Sequence, residues 1–183
     1  MTYNTNTHHR RSIRLRYRDY SIPGAYFITI CIRNHKCLFG KIKDGKMILN
    51  DAGKIAEMCW REIPRHYPHA MVDAYIIMPN HVHGIIIIDT DVGAIHELPL
   101  HNQIIQNMKF RRNMLIPKII GRFKMNTAKQ INTIRQTPAI PLWQRNYYEH
   151  IIRNETELNK TREYIHNNSL NWESDDYYIR GFC

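Results

Sequence analysis

Tyr75-Ile76-Ile77-Met78-Pro79-Asn80-His81-Val82-His83-Gly84-Ile85-Ile86-Ile87-Ile88 is the stretch on which the fold turns. Two apolar, isoleucine-rich runs flank a polar interruption. Such runs read as buried strands, and Pro79-Asn80 between them reads as a tight bend. The second strand opens with His81 and His83. Side chains two apart on a strand leave from the same face, so the imidazoles stand side by side on a rigid element. Neutral imidazole is a common metal ligand, and this pair can share one ion. The alternative is two histidines at a strand end, held by hydrogen bonds or by water.

The chain of 183 residues suits one domain with a sizeable core. Lys and Arg total 26 against 16 Asp and Glu, a net charge of +10. A balance this basic points to a polyanionic partner. Cys31, Cys37, Cys59 and Cys183 contain no Cys-x-x-Cys pair and read as the reduced thiols of a cytoplasmic protein. The N-terminus has no apolar signal-peptide core. No run reaches the ~18 apolar residues of a membrane span, so no membrane partner is expected.

Working outward, residues 1–18 read as a flexible basic arm carrying Arg10, Arg11, Arg14 and Arg16, a composition suited to phosphates. Residues 19–183 read as a single domain. Ala25 to Ile32 is a near-continuous apolar strand for the middle of a sheet. Asp44-Gly45 between two short strands signals a hairpin. Asn50 caps a helix whose inward stripe is expected to be Ile55, Met58, Cys59, Glu62 and Ile63. Met71 to Met78 is the strand before the histidines. Residues 90–112 read as a long loop or insertion. A helix then starts near Pro117, with Ile116, Ile120, Phe123, Thr127 and Ile131 on one face. Lys118, Arg122 and Lys129 occupy another face and are candidates for phosphate contact. A turn and a strand run from Leu142 to Arg153, and Asn154 to Glu157 is a variant capping box. The helix it opens puts Tyr164 and Asn168 four apart, on a shared face. The aromatic, acidic segment Trp172 to Cys183 is expected to cover the sheet or the site. Antiparallel strands with helices on one face make an α+β, ferredoxin-like sandwich.

Three blocks carry a family resemblance. Met78-Pro79-Asn80-His81-Val82-His83 resembles the His-hydrophobe-His motif of the HUH single-tyrosine transposases and nucleases. Leu142-Trp143-Gln144-Arg145-Asn146-Tyr147-Tyr148-Glu149-His150 and Glu163-Tyr164-Ile165-His166-Asn167-Asn168 resemble two further blocks of one branch, the REP-associated tyrosine transposases. Ser169 stands where the family motif has proline. The resemblance implies a ferredoxin-like sheet with helices packed on it. It implies that His81, His83 and Asn168 hold a divalent metal, Mg²⁺ or Mn²⁺, and that Tyr164 is the nucleophile. It implies single-stranded or hairpin DNA as the partner, a covalent 5′-phosphotyrosine intermediate, and a monomer or homodimer in a bacterial-type, nucleoid-associated setting.

The residues themselves leave alternatives open. Tyr147 and Tyr148 are rival nucleophiles. Glu149 and His150 could support the metal or contact DNA. A nucleic-acid-binding module without catalysis predicts salt-sensitive binding and no cleavage. A zinc-dependent hydrolase would need a further His or carboxylate in the site.

The basic surface generates a first prediction. Affinity for single-stranded DNA should fall steeply with salt, because Arg10, Arg11, Arg14, Arg16, Lys118 and Arg122 would release counterions. Deleting residues 1–18 should weaken binding and flatten the salt slope in a fluorescence-anisotropy titration. An unchanged slope would make the arm a passive tail.

Overall fold

The structure, a computed structural model, describes residues 23–89 and 114–178. The arm at 1–18 and the segment 90–112 lie outside the described residues. The elements are β1 (Gly24–Cys31), β2 (Gly40–Lys43), β3 (Lys46–Leu49), α1 (Asp51–Arg61), α2 (Ile63–His66), β4 (Ala70–Ile77), β5 (His81–Ile88), α3 (Leu115–Ile134), β6 (Tyr148–Ile152) and α4 (Glu155–Asn167).

Four strands form one antiparallel sheet in the order β4-β5-β1-β6, with the β2-β3 hairpin apart. β1 and β5 are central, as their continuous apolar runs require. The β-α-β-β-α-β succession that builds the sheet is ferredoxin-like, so the fold is α+β. The hairpin turns at Asp44 (φ 52°) and Gly45 (φ 70°), a two-residue loop with both φ values positive, which Asp-Gly accommodates.

The sheet has two covered faces, whereas the sequence reading placed the helices on one. Tyr26, Ile28 and Ile30 of β1 and Val82 and Ile86 of β5 face the main core, which α1 and α3 complete with Trp60, Ile116, Ile120 and Phe123. Register puts Phe27 opposite Ile85 and His150, and Thr29 opposite His83 and Tyr148, on the other face. There α4 supplies Ile165 and Leu158 to a smaller cluster with Ile85, Ile152 and Phe27. A central strand that is apolar on both sides needs cover on both.

The inward stripe of α1 also differs from expectation. Ala52, Gly53, Ala56, Cys59 and Trp60 are buried, while Met58 is 46% exposed. The reason is close approach. A Cβ on Gly53 would lie 2.2 Å from the Phe39 carbonyl oxygen, so the small-residue side of the helix must face in. Asn50 caps this helix as read, its side-chain oxygen accepting from Gly53 N at 3.0 Å. The cysteines need one correction. Cys31 and Cys59 are free thiols, but Cys37 is disulfide-bonded. Among the described residues no helix is long and apolar enough to cross a membrane.

Gly84, directly after the histidine pair, faces Trp60. A Cβ there would lie 2.3 Å from Trp60 Cζ2 and 3.1 Å from Tyr75 Cβ. The indole is fully buried and cannot swing away. Gly84→Ala should therefore cost about 1–3 kcal/mol through overpacking, read as a lower midpoint in urea unfolding with an unchanged slope.

Candidate active site

Strand β5 delivers His81 and His83 to the α4 face of the sheet, both essentially fully buried. Their ring centroids are 4.4 Å apart. Each ring is held through Nδ1. His83 Nδ1 lies 2.8 Å from Thr29 Oγ1, directly across the strand pair. His81 Nδ1 lies 2.8 Å from Asn80 Oδ1. Burial disfavours the imidazolium form at both positions. It drives His83 down to about 3. At His81 burial is again the largest cause, reinforced by His83 and His35, and the value falls well below the usual range. Both rings are therefore neutral at pH 7, as metal ligation requires.

Helix α4 brings up the tyrosine. Tyr164 Oη lies 3.2 Å from His83 Nε2, on a ring that is 46% exposed. Phe27 is the shared neighbour, stacked on His83 at 5.3 Å and edge-on to Tyr164 at 6.0 Å. The helix is fixed at several points. Asn154 caps it by accepting from Glu157 N at 2.9 Å. Glu157 Oε2 accepts from Arg153 N at 2.7 Å, and Oε1 meets His150 Nε2 at 2.6 Å. Further along, Arg162 donates through Nε and Nη2 to Asp73 Oδ2 at 2.9 and 2.7 Å. Asp73 sits in the register shift of β4, so a bulge aims the carboxylate at the helix.

Asn168, one turn after Tyr164, is buried. Its Nδ2 donates to Asp175 Oδ2 at 2.9 Å. Its Oδ1 and the Nε2 of His81 are buried without a hydrogen-bond partner. Asn168 also interacts with His81 and Tyr164, and two buried polar atoms without a well-formed partner call for a donor or a cation. Among the described residues, His81, His83 and Asp175 form a group whose ligand atoms lie within 4.8 Å of one another. The donor set thus fits a metal ion, with two neutral nitrogens, an amide oxygen and a carboxylate oxygen.

Asp175 was not singled out in the sequence. The one signal for it was the acidic, aromatic character of its segment, which does cover the site. The Tyr177 ring lies 4.7 Å from His81, and the Trp172 ring 6.0 Å from it. Asp175 also acts on Tyr164. Burial first, then the Asp175 charge, pushes the phenol up to about 12.

The other expected residues divide by face. Tyr148, opposite Thr29, is on the histidine side and 6.3 Å from Phe27. Tyr147 packs against the main core, with Lys124 Nζ 5.5 Å from its ring. Glu149 pairs in register with Ile28 and faces that core side too. Leu142 and Trp143 are core residues, and Trp143 Nε1 donates to Thr127 Oγ1 at 2.9 Å. Lys118 and Arg122 are exposed on α3, across the sheet from the histidines. Arg10, Arg11, Arg14 and Arg16 lie outside the described residues.

Comparison with known proteins adds relatives. The chain is 43% identical over 177 residues to an uncharacterized protein of Haemophilus influenzae, covering 97% of each. The two belong to one family. It is 27% identical over 155 residues to a second protein of that organism, described as "Putative REP-associated tyrosine transposase", covering 84% of this chain and 74% of that one. The likeness drawn from three short blocks thus extends over most of the chain. A solved structure of a REP-associated tyrosine transposase bound to a REP hairpin aligns with a TM-score of 0.48 and 17% identity. The alignment covers 93% of this chain and 76% of that one. No family model matches the chain.

The buried neutral histidines set a pH dependence. His83 titrates at about 3 in the folded metal-free protein against an ordinary value of 6.5. The unfolded chain therefore binds more protons between those values, and stability falls as pH drops through that window. Each such histidine contributes a slope of up to ~1.4 kcal/mol per pH unit. Urea midpoints measured from pH 7 to pH 4 should fall less steeply for His83→Gln than for the wild type.

Proposed function

We propose that this chain, a relative of the REP-associated tyrosine transposases, is a metal-dependent single-stranded DNA endonuclease and strand transferase acting through a covalent phosphotyrosine. The observation that carries the reading is the grouping of ligand atoms of His81, His83 and Asp175 within 4.8 Å of one another, with the Tyr164 hydroxyl 3.2 Å from His83 Nε2. His81, His83 and Asn168 would hold the ion, with Asp175 as a further oxygen ligand. Mg²⁺ or Mn²⁺ suits an oxygen-containing set that leaves positions open for phosphate and water. When bound, the ion would polarise the scissile phosphate and offset its negative charge.

The chain's own residues do the rest. In the tautomer that ligation needs, His83 Nδ1 donates to Thr29 and Nε2 presents its lone pair. In that tautomer the Tyr164 hydroxyl, 3.2 Å away, donates to the same lone pair, so ligation at His83 would free the hydroxyl. An unassisted phenol with a pKa of about 12 is a poor nucleophile at neutral pH, and Asp175 makes it poorer. A cation held by His81 and His83 would supply positive charge that offsets Asp175. Tyr164 Oη then attacks phosphorus, and its proton passes to the solvent that reaches the half-exposed ring. The P–O3′ bond breaks, and the departing oxygen takes up a proton to become a free 3′-hydroxyl. The phosphotyrosine bond conserves the energy of the cut, so rejoining needs no nucleotide cofactor. Partners under this reading are single-stranded or hairpin DNA, with Arg10, Arg11, Arg14, Arg16, Lys118 and Arg122 as phosphate contacts. Residues 19–183 act as one domain, in a monomer or a homodimer, in the bacterial cytoplasm.

The test is incubation with labelled hairpin DNA and Mg²⁺, followed by a denaturing gel. The wild type should give a covalent adduct and a free 3′-hydroxyl. Tyr164→Phe should keep fold and DNA binding but lose the adduct by at least ~10³-fold, as expected for removal of a nucleophile. Chelation or His81→Ala should do the same. Tyr148→Phe and Tyr147→Phe should keep the adduct. An adduct that survives in Tyr164→Phe moves the nucleophile elsewhere. Salt-sensitive binding with no adduct from any variant, wild type included, identifies a binding module instead.

A further inference from the structure

Asn80 is fully buried, and its side-chain contacts form a chain of obligate donors and acceptors. Its Nδ2 donates to Tyr177 O at 2.7 Å and to His35 O at 3.3 Å. A carbonyl oxygen only accepts, so the amide nitrogen must face these two and the amide oxygen must face His81. That oxygen, 2.8 Å from His81 Nδ1, also only accepts, so Nδ1 carries the proton. A neutral imidazole has one N–H, which leaves Nε2 as a bare lone pair. Nε2 is the orphaned atom of the site.

The partner of His83 has no such power. Thr29 offers a hydroxyl that both donates and accepts, so it is compatible with either tautomer. The constraint on His81 alone reaches back to backbone carbonyls. One of them is carried on costly geometry. Asn34 and His35 hold φ of 58° and 51°, a left-handed conformation that side chains other than glycine adopt reluctantly. This strained turn aims the His35 carbonyl at Asn80. The other carbonyl comes from the segment that closes over the site.

We propose that Asn80 is the positioning residue of the site: its amide, oriented by the His35 and Tyr177 carbonyls, locks His81 in the Nδ1–H tautomer and so sets the site's affinity for a divalent cation. The affinity part rests on the metal reading above; the tautomer part does not. Asn80 contributes no ligand atom. It acts by keeping the wrong nitrogen protonated and the right one bare, and by fixing the ring plane.

Long-range proton–nitrogen NMR spectra of the full-length, metal-free, histidine-labelled protein distinguish the tautomers, with His81→Gln to assign the signal. The wild type should show His81 as the Nδ1–H form. Asn80→Ala should show the Nε2–H form or a mixture. Asn80→Asp should keep Nδ1 protonated, because a carboxylate oxygen still accepts from it, but it cannot donate to the His35 and Tyr177 carbonyls and so loses the orientation they impose. Mn²⁺ titrations followed by electron paramagnetic resonance should show about 10- to 100-fold weaker binding for Asn80→Ala. A merely structural asparagine would leave the tautomer of His81 unchanged. If Asn80→Ala does not fold, the wild-type spectrum still decides. A wild-type His81 in the Nε2–H form overturns the proposal, as does wild-type tautomer and affinity in Asn80→Ala. A wild type that binds no Mn²⁺ yet shows the Nδ1–H form overturns the metal reading instead, while the tautomer lock stands.

Discussion

Two imidazoles buried 4.4 Å apart cannot both be charged. Desolvation alone disfavours the first proton, and repulsion disfavours the second. The pair is therefore a neutral, polar defect in the middle of a sheet, and much of the structure serves to satisfy it. Thr29 and Asn80 occupy the two Nδ1 atoms. Tyr164 meets one Nε2, while the other is left bare. Buried polar atoms are rarely left so, and His81, His83 and Asp175 form a group that could bind a metal ion.

The two faces of the sheet are held by different physics. The α1 and α3 face is a broad apolar core with Trp60, Phe123 and Trp143 in edge and tilted contact. The α4 face has a small apolar cluster and leans on polar clamps at Asp73–Arg162 and His150–Glu157. Partly exposed ion pairs contribute little each, so α4 is the less firmly anchored layer. It is also the layer that carries Tyr164 and Asn168. The histidines sit on a central strand of the sheet.

The segment after α4 adds a sign to the electrostatics. Asp175 brings negative charge within reach of the Tyr164 phenol and, after burial, pushes it further up. The same carboxylate lies among the ligand atoms of the candidate metal group.

The histidine pair was legible in the sequence because strand periodicity is local. Alternation puts His81 and His83 on one face whatever the rest of the chain does. Local chemistry also set the Asp44-Gly45 turn, the Asn50 and Asn154 caps, and the one-turn spacing of Tyr164 and Asn168. The family likeness rested on those same short blocks. Other features depend on distance in space, which sequence spacing does not encode. Only tertiary packing could place α4 on the face opposite α1 and α3 and turn Ala52, Gly53 and Ala56 of α1 inward. Asp175 and Asn80 are the plainest cases. One is ninety-four residues from His81 and reached the site because its segment folds back over the sheet. The other is its immediate neighbour, yet its role depends on two carbonyls, His35 and Tyr177, that the chain brings in from 45 and 97 residues away.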